Sequence, residues 1–279
     1  MPYNQTISSG PIRIIHSHMT TYASSEFMIN ATGTENMEQQ PMQGFSWKEV
    51  SPEHDYRMQK MFILSDYTRT YAREVEKSCQ DFAAIIQDKY RRNAPGKFCE
   101  LISGVSEPGS KYKFDRRVTP CKFFFDYDHY DQDGPGKDLG ELCQIIHDVL
   151  KPHVPDLNSA DVYYAQRHGE VPGRGHKISY HFFITGYTTD MFSIKNSLDY
   201  YYLQHPEHKN VFDMSVYATK RKYCAILCQK NNNDTRVLLP SDWGSVADNT
   251  PSHLLNYMVQ AVDPRWPIIS IAAPTTCVD

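Results

Sequence analysis

Phe123, Phe124 and Phe125 follow one another without a polar break, the pattern of a strand buried on both faces. The run continues into Asp126-Tyr127-Asp128-His129-Tyr130-Asp131. Side chains alternate along a strand, so Asp126 and Asp128 share one side, roughly 6–7 Å apart along the chain. Lys177–Thr185 alternates more strictly. Ile178, Tyr180, Phe182 and Ile184 make an apolar face, and Lys177, Ser179 and His181 a polar one. A third run, Phe212-Asp213-Met214-Ser215-Val216-Tyr217, sets one carboxylate inside an apolar strand pattern spanning Val211–Tyr217, and the basic turn Lys220-Arg221-Lys222 follows.

Around these runs the periodicity switches between strand and helix. Residues 1–44 are weakly patterned and polar, a flexible arm with one strand at Ile12–Ile15. A short helical stretch from Trp47 ends at Met61-Phe62-Ile63-Leu64. A longer helix follows, capped by Ser65 or Asp66, with Tyr67, Tyr71, Val75, Cys79, Phe82, Ile86 and Tyr90 on one face. Residues 45–96 thus form a helical annex. Lys97–Lys122 has the pattern of a β-hairpin, with Phe98–Ile102 as one arm and Pro108-Gly109-Ser110 as the turn. A helix begins at Asp138, with Leu139, Leu142, Ile146 and Val149 on one face. Strands follow at Val162–Arg167, Tyr223–Gln229 and Val237–Leu239, with helices at Met191–Leu203 and Ser252–Val262. Hairpins mixed with helices predict an α+β fold with a mainly antiparallel sheet. Its core would span 97–265, and 266–279 would be a Pro-rich tail.

Composition narrows the setting. With 40% hydrophobic and 22% charged residues the chain is ordinary for a soluble globular protein, and no apolar run is long enough to span a membrane. Without a signal-peptide pattern, and with seven scattered cysteines, it reads as a reduced cytoplasmic or nuclear protein that is not secreted. No Cys-x-x-Cys pair marks a zinc ribbon; Cys224 and Cys228 read as buried thiols. A net charge of −4 confines any nucleic-acid site to a local basic groove. Residues 88–122 carry nine Lys/Arg against four Asp/Glu, an excess that fits either such a groove or an ordinary solvated basic face.

Paired carboxylates at a strand end repel each other, and a hard divalent cation such as Mg²⁺ or Mn²⁺ relieves that repulsion. A solvated acidic turn would show the same Asp-x-Asp. The Lys177/Ser179/His181 face offers a cation, a hydroxyl and an imidazole to a triphosphate. Asp213 would be a third metal ligand, with Lys220, Arg221 and Lys230 as phosphate-holding cations.

The order Asp-x-Asp, Lys-x-Ser-x-His, then apolar-Asp-x-x-Val-Tyr with trailing basic residues resembles the archaeo-eukaryotic primase superfamily. The likeness is closest to its primase-polymerase branch and to the primases of large DNA viruses. It runs from Lys97-Phe98-Cys99-Glu100 to about Leu239, taking in Pro120-Cys121-Lys122 and Arg236-Val237-Leu238-Leu239-Pro240. It implies an RRM-like primase catalytic core that makes or extends primers on a single-stranded DNA template from NTPs or dNTPs. Asp126, Asp128 and Asp213 would coordinate two divalent metals, and His181 would join them in catalysis. Ser179 and His181 would contact the nucleotide's phosphates, supported by Lys177. Arg221, Lys230 and Lys122 would hold phosphates or template.

Two departures stand out. Cys224 occupies a position where relatives often carry arginine, and no zinc module or helicase segment follows the core. A replicative helicase would then be a partner on a separate or longer chain. Three rivals share parts of the pattern. An Asp-x-Asp glycosyltransferase has no need of the Lys-x-Ser-x-His strand or of Asp213. A metal-dependent nuclease usually wants a lysine beside its last acidic residue. A non-catalytic replication accessory domain would bind single strands without incorporating nucleotides.

Overall fold

The computed structural model of the chain describes residues 12–13, 60–64, 74–103, 119–154, 156–157, 161–217, 220–230, 234–244 and 250–274. The aromatic run becomes strand β5 (Cys121–Tyr130), buried from Cys121 through Tyr127. β5 pairs with β8 (Gly175–Thr189), and β8 with β6 (Asp161–Gln166). β6 also takes β1 (Ile12–Arg13) and β10 (Leu239–Pro240), while β7 (Gly169–Val171) folds back on the start of β8. A second sheet has the order β3 (Glu74–Ser78), β2 (Lys60–Leu64), β4 (Cys99–Ser103), β9 (Lys220–Cys224). Every pairing between these strands is antiparallel, so the molecule is α+β with mainly antiparallel sheets.

Helix ends are set by local chemistry. α1 (Cys79–Arg91) starts where the Ser78 hydroxyl accepts the Asp81 N–H, and it buries Cys79, Phe82, Ala83 and Ile86. α2 (Leu139–Leu150) opens with a capping box: Asp138 accepts the Glu141 N–H, and Glu141 reaches back to the Asp138 N–H. α3 (Met191–Gln204) starts at Asp190, whose carboxylate accepts the N–H groups of Phe192 and Ser193. α4 (Pro251–Leu254) is one turn and runs into a 3₁₀ turn at Leu255–Tyr257. Among the described residues no helix is long and apolar enough to cross a membrane.

The two faces of the β5–β8 pair are packed differently. Phe125 and Phe182 meet Phe212 on one side. Phe124 and Phe183 meet Tyr223 on the other, where Tyr257 also packs on Phe183. Burying each such side chain contributes about 1.5–3 kcal/mol. That apolar support is what allows charged groups further along the second face to be held out of water.

Several expected elements are built differently. The long helix is shorter at its N-terminal end: Glu74–Ser78 is a strand paired with Lys60–Leu64, which the sequence pattern made helical, and the helix starts only at Cys79. The Tyr67 and Tyr71 positions lie outside the described residues. Among the described residues of Lys97–Lys122 the two ends do not pair with each other. β4 pairs with β2 and β9, whereas β5 pairs with β8, and the Pro108–Ser110 turn lies outside the described residues. Elements on both sides of residue 97 thus share one sheet. Val211–Tyr217 is an extended lead-in to a 3₁₀ turn at Met214–Val216, because the Asp213 carboxylate accepts the Ser215 N–H and closes the turn. The strand expected from Tyr223 ends at Cys224, leaving only a bridge between Gln229 and Val237, and the Ser252–Val262 helix is limited to α4 and its 3₁₀ turn.

Candidate active site

Antiparallel register sets Asp126 directly opposite His181, Asp128 opposite Ser179 and Tyr130 opposite Lys177. Directly opposed residues share a face, so the polar stripes of the two strands meet side by side. A third carboxylate arrives from the chain after α3. The Asp213 N–H donates to the Asp126 carbonyl at 2.8 Å, which fixes that segment against β5. Tyr217, four residues on, locks it again by donating its buried hydroxyl to the Phe124 carbonyl.

These groups line a cleft with about 170 Å³ of free space. Asp126, Asp128 and Asp213 stand on its walls together with His181, Arg167, Arg221, Lys222, Tyr223, Cys224 and Lys230. A neighbouring hollow, lined by Asn210 to Ser215 and Asp128, shares the Asp128 and Asp213 walls. Arg221 is steered by its Nε, which donates to the Ser215 carbonyl. Lys177 forms a 2.5 Å ion pair with Asp128 and sits over the Tyr130 ring.

The electrostatics separate the two strand aspartates. Burial, reinforced by Asp128 and Asp213, pushes the Asp126 carboxyl up to about 7. Burial acts on Asp128 as well, but the Lys177 ammonium overcomes it and holds that carboxyl below its ordinary range. Burial and the Arg167 guanidinium pull His181 down to about 3, so its imidazole is neutral at neutral pH. The 3.5 Å approach of His181 Nε2 to Asp126 Oδ1 is therefore neither an ion pair nor a hydrogen bond of good geometry. His181 offers the site a neutral imidazole, narrowing the neutral-or-cationic expectation from sequence.

Buried polar atoms normally have partners, and leaving one without costs about 1–3 kcal/mol. Here Asp126 Oδ1, His181 Nδ1, Arg167 Nε and Tyr223 Oη are buried without a hydrogen-bond partner. These atoms lie on adjoining residues of the cleft wall. Three carboxylates with a raised Asp126 suit hard divalent cations. The aspartates are spread more widely than a single-ion cage. Among the described residues, the group of three ligating side chains with donor atoms all within 4.8 Å is His205, Glu207 and His208, which do not line the cleft.

Of the ten residues singled out from sequence, seven meet here or on the adjoining strand rungs: Asp126, Asp128, Asp213, His181, Ser179, Arg221 and Lys230, while Lys220 opens β9. Lys177 adjoins through Asp128. Lys122 does not come to the cleft. It is 1% exposed, and its Nζ donates to the carbonyls of Leu255 and Asn256. The register of β5 against β8 shifts between Cys121 and Phe123, and the Lys122 N–H bonds the Val259 carbonyl, which carries this residue into the protein. Burial, partly opposed by nearby Glu100, lowers its ammonium to about 7.

Arg167 was missed. It is 4% exposed, lines the cleft, and its Nη1 lies 3.6 Å from Cys224 Sγ. In sequence it closes a strand before His168-Gly169, a context that reads as an ordinary turn. The fold brings its guanidinium over Cys224, the position where an arginine was expected. No protein-family model matches this chain, and no curated protein matches it.

Proposed function

We propose that the protein is a DNA-templated nucleotidyltransferase of the primase or primase-polymerase type, with an RRM-like catalytic core formed by the β5–β6–β8 sheet. The observation that carries this reading is one cleft shared by three aspartates, a neutral buried histidine and several cations, with buried polar atoms left for a ligand. Asp126, Asp128 and Asp213 would hold Mg²⁺ or Mn²⁺. The bound ions would supply Lewis-acid activation of a primer 3′-hydroxyl and charge neutralisation on the triphosphate.

The chain's own residues then have distinct tasks. Arg167, Arg221 and Lys230 bind the triphosphate's oxygens, while neutral His181 donates a hydrogen bond to a phosphate oxygen as charge grows there. Ser179 Oγ orients the same group. Lys177 holds Asp128 ionised and in position. Asp213, which lines the neighbouring hollow together with Asp128, would be the metal ligand nearest the attacking hydroxyl. Single-stranded DNA is the template partner, and the nucleotide is an NTP or dNTP.

The test is incorporation of labelled nucleotide on single-stranded DNA of defined sequence, in Mg²⁺, in Mn²⁺ and in EDTA. Products that follow the template and need a divalent cation support the reading. Sugar transfer from a nucleotide sugar, or template cleavage without incorporation, would replace it with a glycosyltransferase or a nuclease.

A further inference from the structure

α3 ends in an unusual cluster. His205 caps the helix and donates its N–H to the Tyr201 carbonyl, and the 3₁₀ turn Pro206–His208 follows at once. The His208 N–H bonds the His205 carbonyl at 3.0 Å, and Pro206 fixes the turn further. Tyr201, 6% exposed, stacks on His205 at 4.4 Å and on His208 at 5.8 Å between ring centres. Its hydroxyl lies 2.7 Å from His208 Nδ1. That contact orients the ring and leaves Nε2 as its donor to an ion, the usual second partner of a metal-binding histidine.

One pair of donors stands at the spacing of two ligands on a transition metal. His205 Nδ1 is 3.4 Å from Glu207 Oε1. Two ligands at about 2.0–2.1 Å from a tetrahedral ion stand about 3.4 Å apart. One ring nitrogen of each histidine and one Glu207 oxygen all lie within 4.8 Å of one another. The carbonyls at the helix C-terminus add a field that favours a cation. Two imidazoles and one carboxylate select Zn²⁺, Co²⁺ or Ni²⁺ over Mg²⁺ and leave a fourth position for water.

We infer that His205, Glu207 and His208 form a site for a Zn²⁺-class ion, and that its occupancy stiffens the segment leading to Asp213. The connection is short: the Val211 N–H bonds the His208 carbonyl, the Phe212 N–H bonds Tyr202 Oη, and the Asp213 N–H bonds Asp126. The site is chemically separate from the aspartate cleft, and the inference does not depend on the nucleotide reading.

The test is a Co²⁺ titration of the full chain in excess Mg²⁺, followed by visible absorption of the bound ion. Wild type and Asp126→Ala should saturate with one Co²⁺ each. His205→Ala and His208→Ala should each weaken binding more than about tenfold, and Tyr201→Phe by about tenfold. Glu207→Gln, at an exposed position, provides a ligand change without a risk to folding, and circular dichroism checks the others. Zn²⁺ should slow amide exchange at Val211 and Asp213 in wild type and leave the His205→Ala variant unchanged. Wild-type binding that survives loss of both histidines, no saturable binding, or exchange unaffected by Zn²⁺ would overturn the inference.

Discussion

Asp126→Asn is expected to stabilise the metal-free protein above neutral pH. The folded carboxyl titrates at about 7 against an ordinary 3.8, with burial first and the Asp128 and Asp213 charges next as causes. At 1.36 kcal/mol per pKa unit, ionising Asp126 in place costs at most about 4 kcal/mol. The sign follows from the direction of the shift. A folded pKa above the unfolded one means the native state keeps the proton between about 4 and 7, so this group's contribution falls as pH rises through that window. Asparagine has no such proton to lose. The stability difference between variant and wild type should therefore open from near zero at about pH 4 to its full value at about pH 8. Urea unfolding of both proteins in EDTA across this range measures it. Adding Mg²⁺ or Mn²⁺ should then stabilise wild type more than the variant, because a cation neutralises the carboxylate charge that asparagine lacks. A difference independent of pH, or a variant less stable than wild type at about pH 8, would refute the idea that the site stores carboxylate repulsion for a cation.

Three further outcomes follow from named contacts. Arg167→Met should weaken triphosphate binding by about tenfold or more, as loss of a charge-assisted contact does, with template DNA affinity nearly unchanged; fluorescence anisotropy of each ligand separates the two. Lys122→Met should lower the unfolding midpoint yet leave the nucleotide KM within about twofold of wild type, since that ammonium bonds the Leu255 and Asn256 carbonyls away from the cleft. Asp138→Ala removes the α2 capping box and should cost about 1 kcal/mol in urea unfolding, with activity retained.

The local patterns were the legible part. Period-two alternation correctly placed Asp126 with Asp128, and Lys177 with Ser179 and His181, because side-chain direction within one strand is a local property. Helical spacing of Leu139, Leu142, Ile146 and Val149 found α2, and the helical patch Met191–Leu203 found α3; their starts carry Asp138 and Asp190. Pairing was less legible, since a strand's partner depends on distant residues. Cys99–Ser103 looked like the near arm of a hairpin with β5, yet it found β2 and β9. At Asp213 a side chain competes with the backbone for the Ser215 N–H, so an apolar strand pattern turned into a 3₁₀ cap. Arg167 enters the cleft without a sequence signal, and Lys122 leaves it, for the same reason. Nothing beside Arg167 in sequence shows Cys224, and nothing beside Lys122 shows the Val259 carbonyl that draws it inward.

Nucleotide incorporation by paired variants decides whether the aspartate cleft is catalytic. Wild type, Asp126→Ala and His181→Ala would be assayed on single-stranded DNA with and without an annealed primer, with template binding measured on the same preparations. Wild type should incorporate nucleotide only with a divalent cation, and both variants should lose incorporation at unchanged template affinity. Template binding without incorporation by wild type under any of these conditions would contradict this and leave a single-strand-binding accessory domain.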